Sequence, residues 1–152
     1  MRRKLVLRAA AAAYVAAWFT QSVAFQRPFP ESLPGWSATA VAFAPLSDLS
    51  ALDSATEWLL AIMMVASALT NALFLAALFV AFRRPYRLTR GLEWAIWGAA
   101  LLNTHWLLQD HLLHGALRAG YYLWVLSFVL LAAGIHRRRL HPGEAPRLQP
   151  AA

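Results

Sequence analysis

Four apolar stretches of this chain run without a single Asp, Glu, Lys or Arg, and nothing else limits its fold as tightly. They cover residues 9–26 (18 residues), 58–82 (25), 94–109 (16) and 119–136 (18). About 20 apolar residues cross the hydrocarbon core of a bilayer, with a working range of about 17–25. The third stretch is short, but Leu92, Leu112 and Leu113 extend it at its two ends. Backbone groups in lipid must be satisfied within their own segment, so such runs read as helices. The pattern predicts helices near 6–25, 55–82, 92–113 and 118–136. The expected fold class is all-α, an integral membrane four-helix bundle forming one domain over residues 1–140. Composition agrees: 60% of residues are hydrophobic and 14% charged, where a soluble domain is about one quarter charged.

Charge sets the expected orientation. Arg2, Arg3, Lys4 and Arg8 precede the first stretch; Arg83, Arg84, Arg87 and Arg90 lie between the second and third; Arg137, Arg138, Arg139 and Arg147 follow the fourth. Only Arg27 and Arg118 of the 14 basic residues fall on the other side. The positive-inside rule then makes the protein multi-pass with both termini cytoplasmic. The net charge of +7 is thereby accounted for, and nucleic acid is not an expected partner. Alanine-rich, arginine-rich and lysine-poor usage suggests a bacterium of high genomic GC content, hence its inner membrane. The absence of cysteine excludes disulfides, thiolate metal sites and a cysteine nucleophile.

Local signals mark the connections. Ser54-Ala55-Thr56-Glu57 fits a capping box at the start of the second helix, and Pro85 closes that helix. Gly115 and Gly120 bracket the turn into the fourth. The apolar piece 35–46 is too short to span and reads as an interfacial or re-entrant segment, a small lid on the outer face carrying Trp36 and Phe43. Residues 141–152, with Pro142, Pro146 and Pro150, read as a disordered cytoplasmic tail. The first helix also has the look of a secretory signal with small residues at Ser22-Val23-Ala24. Arg8, bulky Tyr14, Trp18 and Phe19, and the later spans speak against cleavage.

Pro34-Gly35-Trp36, Asn71, the basic turn Arg83-Arg84-Pro85-Tyr86-Arg87, and Gly120-Tyr121-Tyr122-Leu123-Trp124 with Ser127 resemble a group of uncharacterised small bacterial four-helix inner-membrane proteins. The resemblance covers residues 34–135. It implies the four-helix architecture, and no activity, ligand or partner. Where proteins of this look often carry proline after the Asn of the second helix, this chain has Ala72, so no kink is expected there.

No charged residue lies at mid-membrane, which argues against proton coupling through a central carboxylate. Glu57 and Glu93 fall at helix ends, where solvation and the helix N-terminus suit them. At about 1.5 Å per residue, Asn71 and Asn103 both lie some 16–18 Å from the cytoplasmic ends. They are expected to hydrogen-bond to each other, as interhelical glue worth about 0.6–2 kcal/mol or as part of a polar pocket. Ser67 lies one turn from Asn71 on the same face. His105, about 20 Å deep, is expected to bond Ser67, Gln21 or a tyrosine such as Tyr122; it has no second histidine at its level for a haem. Asn71, Asn103, His105, Ser67 and Tyr122 are thus the candidate ligand-binding set. At the outer end of the third helix Asp110, His111 and His114 fall at i, i+1 and i+4 and share a helix face, a candidate divalent-metal set needing a further ligand such as Glu57 or Asp53. The alternative is a solvated helix end.

No GxSxG, Walker or HExxH pattern is present. Small residues recur at i, i+4 in Ala9/Ala13/Ala17, Ala68/Ala72/Ala76 and Ala95/Ala99, which suits close helix packing. The leading expectation is a non-enzymatic accessory or structural subunit, without a cofactor, packing in the bilayer against other membrane proteins or a second copy. The alternatives are a small-ligand binding or minor transport protein with a pocket between helices, and an outer-face metal site. The orientation has a direct test: a reporter active only in the periplasm, fused after Leu140, stays silent, and a bright signal overturns it.

Overall fold

The computed structural model describes residues 2–24, 32–83, 88–110 and 117–140. It is mostly helical, as expected. In chain order come α1 (Arg2–Phe19), β1 (Gln21–Ala24), β2 (Ser32–Pro34), the short α2 (Gly35–Val41), two 3₁₀ turns (Ala44–Leu46 and Leu49–Ala51), α3 (Ala55–Arg83), α4 (Arg90–Asn103), α5 (His105–Asp110) and α6 (Ala119–Leu140).

The core lies where α1, α3, α4 and α6 meet. Leu7, Ala10 and Tyr14 of α1 face Phe74, Ala77 and Ala81 of α3, Ile96, Ala99 and Ala100 of α4, and Phe128, Leu131, Ala132 and Ile135 of α6. Every one of these sets repeats at three- and four-residue steps, one stripe of a helix. Tyr14 stacks on Phe74 at 4.2 Å, and Phe74 meets Phe128 at 4.9 Å, so aromatic contact joins α1, α3 and α6 in one line. The alanine series contribute unevenly: Ala17, Ala68 and Ala99 are buried, whereas Ala9, Ala72, Ala76 and Ala95 face outward.

The capping box forms as read. The Ser54 hydroxyl accepts the Glu57 N–H at 3.2 Å, while the Glu57 carboxylate accepts the N–H groups of Ser54 and Asp53, both at 2.9 Å. α3 ends at Arg83; Pro85 lies outside the described residues, as do Gly115 and the tail 141–152.

Three expectations need correction. The first helix stops at Phe19, not near 25. Thr20 closes it, its N–H and hydroxyl both bonding Ala16 O at 3.0 and 2.6 Å. Residues 21–24 then pair antiparallel with 32–34, with an irregularity between Gln21 and Val23, and Ser22 O accepts the Arg118 N–H at 2.9 Å. The strand's backbone is thus paired on both edges, by residues 32–34 and at Leu117 and Arg118. Two glycines permit this close assembly. A Cβ on Gly35 would lie 2.4 Å from Ala17 O, and one on Gly120 would lie 2.6 Å from both Thr20 O and Ser22 Oγ.

The third helix is broken at Thr104. The Thr104 hydroxyl bonds Leu101 O at 2.7 Å, and the His105 ring Nδ1 bonds Leu102 O at 2.5 Å. Side chains that take carbonyls of the preceding turn compete with the helical ladder. What was read as one helix over 92–113 is α4 of 14 residues and α5 of six. Consequently two helices among the described residues, α3 and α6, are long and apolar enough to cross a membrane. α1 opens with Arg2, Arg3, Lys4 and Arg8, and α4 alone spans about 21 Å at 1.5 Å per residue, short of the roughly 30 Å hydrocarbon core.

Glu93 is the third correction. It is 6% exposed rather than solvated. α6 runs on to Leu140, past the expected end near 136, and its last turn folds back on Glu93. Arg139 Nε lies 2.6 Å and His136 Nδ1 2.7 Å from the two carboxylate oxygens, while Arg138 donates to Ala81 O at the end of α3. This clasp ties α3, α4 and α6 together at one end of the bundle. In detergent at pH 7, Glu93→Gln is expected to cost about 1–3 kcal/mol. A variant as stable as the wild type would refute the clasp.

Candidate functional site

At the end of the bundle opposite the clasp, the inner face of α3 carries Ser67, Thr70 and Asn71, all buried. Polar atoms inside an apolar bundle need partners, and two separate clusters supply them. In the first, the Ser67 hydroxyl donates to Asn103 Oδ1 at 2.9 Å, and Asn103 Nδ2 donates to Thr70 Oγ1 at 3.1 Å. The Thr70 hydroxyl donates to Ser67 O at 2.6 Å, and Trp106 Nε1 donates to Ser67 Oγ at 3.4 Å. The helix break at Thr104 frees the Asn103 carbonyl, and the Tyr121 hydroxyl takes it at 2.7 Å.

The second cluster centres on Asn71. Its Oδ1 accepts from Trp124 Nε1 of α6 at 2.8 Å and from the Tyr14 hydroxyl of α1 at 3.1 Å. An indole N–H can only donate, so Trp124 fixes which end of the amide is the oxygen. Asn71 Nδ2 faces Thr39 Oγ1 of α2 at 3.5 Å, and Thr39 donates in turn to Gly35 O at 2.9 Å. The expected Asn71–Asn103 hydrogen bond is therefore replaced. The two amides were placed at one depth, but the rotation of each helix about its axis sends them to different partners.

Between the outer part of α3 and the lid formed by α2 and the β1–β2 hairpin lies a cavity of about 240 Å³. Trp18 of α1, Ala38 and Thr39 of α2, Met64, Ser67 and Asn71 of α3, Trp106 of α5, and Tyr121 and Trp124 of α6 are among its walls. Among the described residues no Asp, Glu, Lys, Arg or His belongs to them. The lining is apolar and aromatic, with hydroxyl and amide groups at one side.

Of the predicted ligand-binding set, Ser67 and Asn71 line this cavity, and Asn103 stands behind Ser67 with no exposed surface. Tyr122 is 51% exposed and points away from the walls; its neighbour Tyr121 takes the inward place. One residue along a helix is about 100° of rotation, enough to exchange the two roles. His105 is buried but bonds neither Ser67, Gln21 nor a tyrosine. Its Nδ1 serves Leu102 O, and its Nε2 has no partner among the described residues. In the predicted metal set, Asp110 is the last residue of α5, while His111 and His114 lie outside the described residues. Among the described residues no group of three metal-ligating side chains occurs, and Glu57 is committed to its cap. Sequence reasoning missed Tyr14, Thr39, Tyr121, Trp106 and Trp124. The readable signal was the polar tip that Tyr and Trp carry into apolar runs, which has to bond when buried.

Such a site can hold a neutral guest and orient it through an amide and a hydroxyl. Among the described residues the walls carry no general acid, base or nucleophile paired with a base. Compared with known proteins, the chain matches no family model, no curated protein and no solved structure.

The two-cluster arrangement has a thermodynamic signature. A double-mutant cycle of Asn71→Leu with Asn103→Leu in detergent is expected to give coupling within about 0.5 kcal/mol of zero. The cycle of Asn71→Leu with Trp124→Phe should instead give about 0.6–1.7 kcal/mol. The reverse order of the two values would sink the assignment of partners.

Proposed function

We propose that this chain is a non-enzymatic, multi-pass protein of a bacterial inner membrane that holds a small neutral molecule in the cavity beneath its outer lid. The observation that carries the reading is the cavity itself: set between the helices and the lid, with no charged side chain among its described walls, and bordered by Asn71 and Ser67.

The membrane part of the reading rests on surface and ends. Leu69, Leu75 and Phe79 of α3 and Leu101 of α4 are all more than half exposed, a distribution suited to lipid and costly in water. α1 packs along α6, and α4 with α5 runs from Arg90 to Asp110 with one break. Four crossings follow if these accompany α3 and α6 into the bilayer, since a broken helix is tolerated where its backbone is buried in protein. Arg8, Arg83, Arg90 and the run Arg137–Arg139 gather at the clasp end, and the positive-inside rule puts that end in the cytoplasm. The cavity then faces the periplasmic half. The resemblance to small bacterial four-helix membrane proteins points the same way.

A second reading, the accessory or structural subunit, has its own support. Ala72 and Ala76 form an outward small-residue ridge on α3, with outward Ala95 on α4, a surface on which another transmembrane helix packs closely.

Filling the cavity separates the two. Native mass spectrometry of protein extracted in mild detergent is expected to find a small-molecule adduct on the wild type and none on Ala38→Phe, which places a ring in the cavity. Identical bare masses for a folded wild type and a folded variant would refute the binding reading.

A further inference from the structure

Inside a bilayer the usual reason for an apolar guest to enter an apolar cavity is missing, because lipid tails are as apolar as the walls. A plain hydrocarbon gains little by leaving the lipid. A guest that gains must make a contact that hydrocarbon cannot offer, and the cavity presents one. A primary amide has two N–H donors. Asn71 Nδ2 has a single partner among the described residues, Thr39 Oγ1, at the long distance of 3.5 Å. Asn71 is 7% exposed and belongs to the cavity wall. Its oxygen is already engaged by Tyr14 and Trp124, so the amide cannot turn to hide the spare hydrogen. The neighbouring hydroxyl protons are also engaged, that of Ser67 by Asn103 and that of Thr39 by Gly35. The wall therefore offers a buried donor that wants an acceptor.

The other walls describe the rest of the guest. Among the described residues no charged side chain lines the cavity, and bare apolar and aromatic walls disfavour an ion. Trp18, Trp106 and Trp124 contribute three indoles and Tyr121 a phenol, and aromatic faces gain from a second ring beyond the area buried. A volume near 240 Å³ exceeds the roughly 150 Å³ that takes up a benzene, which leaves room for one ring with small substituents.

Resting on the binding reading above, we infer that the cavity is a site for a neutral planar ring bearing a carbonyl, of the benzoquinone or aryl-ketone class, whose oxygen accepts the free Asn71 N–H. The ring reaches the site either as the head of a membrane-dissolved molecule or as a free water-borne compound.

The test uses the purified chain in detergent and three probes: 2,3-dimethoxy-5-methyl-1,4-benzoquinone, the same quinone with a decyl tail, and 1,2-dimethoxy-4-methylbenzene, which lacks the carbonyls. Binding is read as a saturable rise in the unfolding midpoint of the wild type and of Ala38→Phe. The quinone is expected to bind the wild type about tenfold more tightly than the carbonyl-free ring, the gain of one net hydrogen bond, and to leave Ala38→Phe unmoved. If the tailed quinone also saturates, the source is the membrane; if only the tail-less ring does, it is water-borne, and either result supports the class. Equal affinity for the quinone and the carbonyl-free ring, with Ala38→Phe insensitive to both, overturns the ligand class and leaves the cavity reading standing. Equal quinone binding by wild type and Ala38→Phe overturns the cavity as the site. No saturable effect of either quinone overturns this inference alone, because the adduct measurement judges the binding reading independently.

Discussion

A polar atom buried in an apolar bundle without a partner costs several kcal/mol, and that constraint governs the outer half of this molecule. Ser67, Thr70 and Asn71 stand side by side on the inner face of α3. Everything that packs on that face has to bring a matching donor or acceptor. α1 brings the Tyr14 hydroxyl, α6 brings the Trp124 indole, α2 brings Thr39, and α4 brings the Asn103 amide. The lid is consequently part of the polar bonding scheme and not an ornament on the bundle. Through Thr39 and Asn71 it is joined to the same amide that joins α1 and α6.

The two ends of the bundle solve the same problem differently. The clasp end uses full charges, with the buried Glu93 between Arg139 and His136. Around the cavity the described side chains are bonded through neutral amides, hydroxyls and indoles. Neutral networks can border an empty volume without the solvation cost a charge would bring there. The break at Thr104 serves the arrangement too, since it turns Trp106 toward Ser67 and releases the Asn103 carbonyl for Tyr121.

Much of this was legible in the sequence wherever one local cause decided it. The capping box at Ser54 and Glu57, the long apolar α3 and α6, and the short outer segment near 35–46 follow from residues close together in the chain. The end of α1 was not legible, because residues 21–24 leave helix for partners at 32–34 and at Arg118, remote in sequence. Thr104 and His105 were a local signal and could have been read as a break, had their competition for carbonyls been set against the apolar run around them. Depth arithmetic brought Asn71 and Asn103 to one level, yet depth says nothing of rotation, and rotation chose the partners. The same blindness exchanged Tyr121 for Tyr122. Glu93 was misjudged for a different reason: its cover comes from the last turn of α6, which the apolar count ended too early.

α6 is fastened at both of its ends, by Gly120 against the strand at Thr20 and Ser22, and by Arg138 and Arg139 against α3 and α4. A helix held twice has a fixed phase. One residue inserted or deleted between the two fastenings turns one relative to the other by about 100° and shifts it by about 1.5 Å. Either the glycine leaves its notch or the arginines miss their acceptors. Side chains along α6 can therefore be exchanged for others of similar shape, but its length cannot drift. The helix acts as a ruler, setting how far apart the charged end and the cavity end must lie.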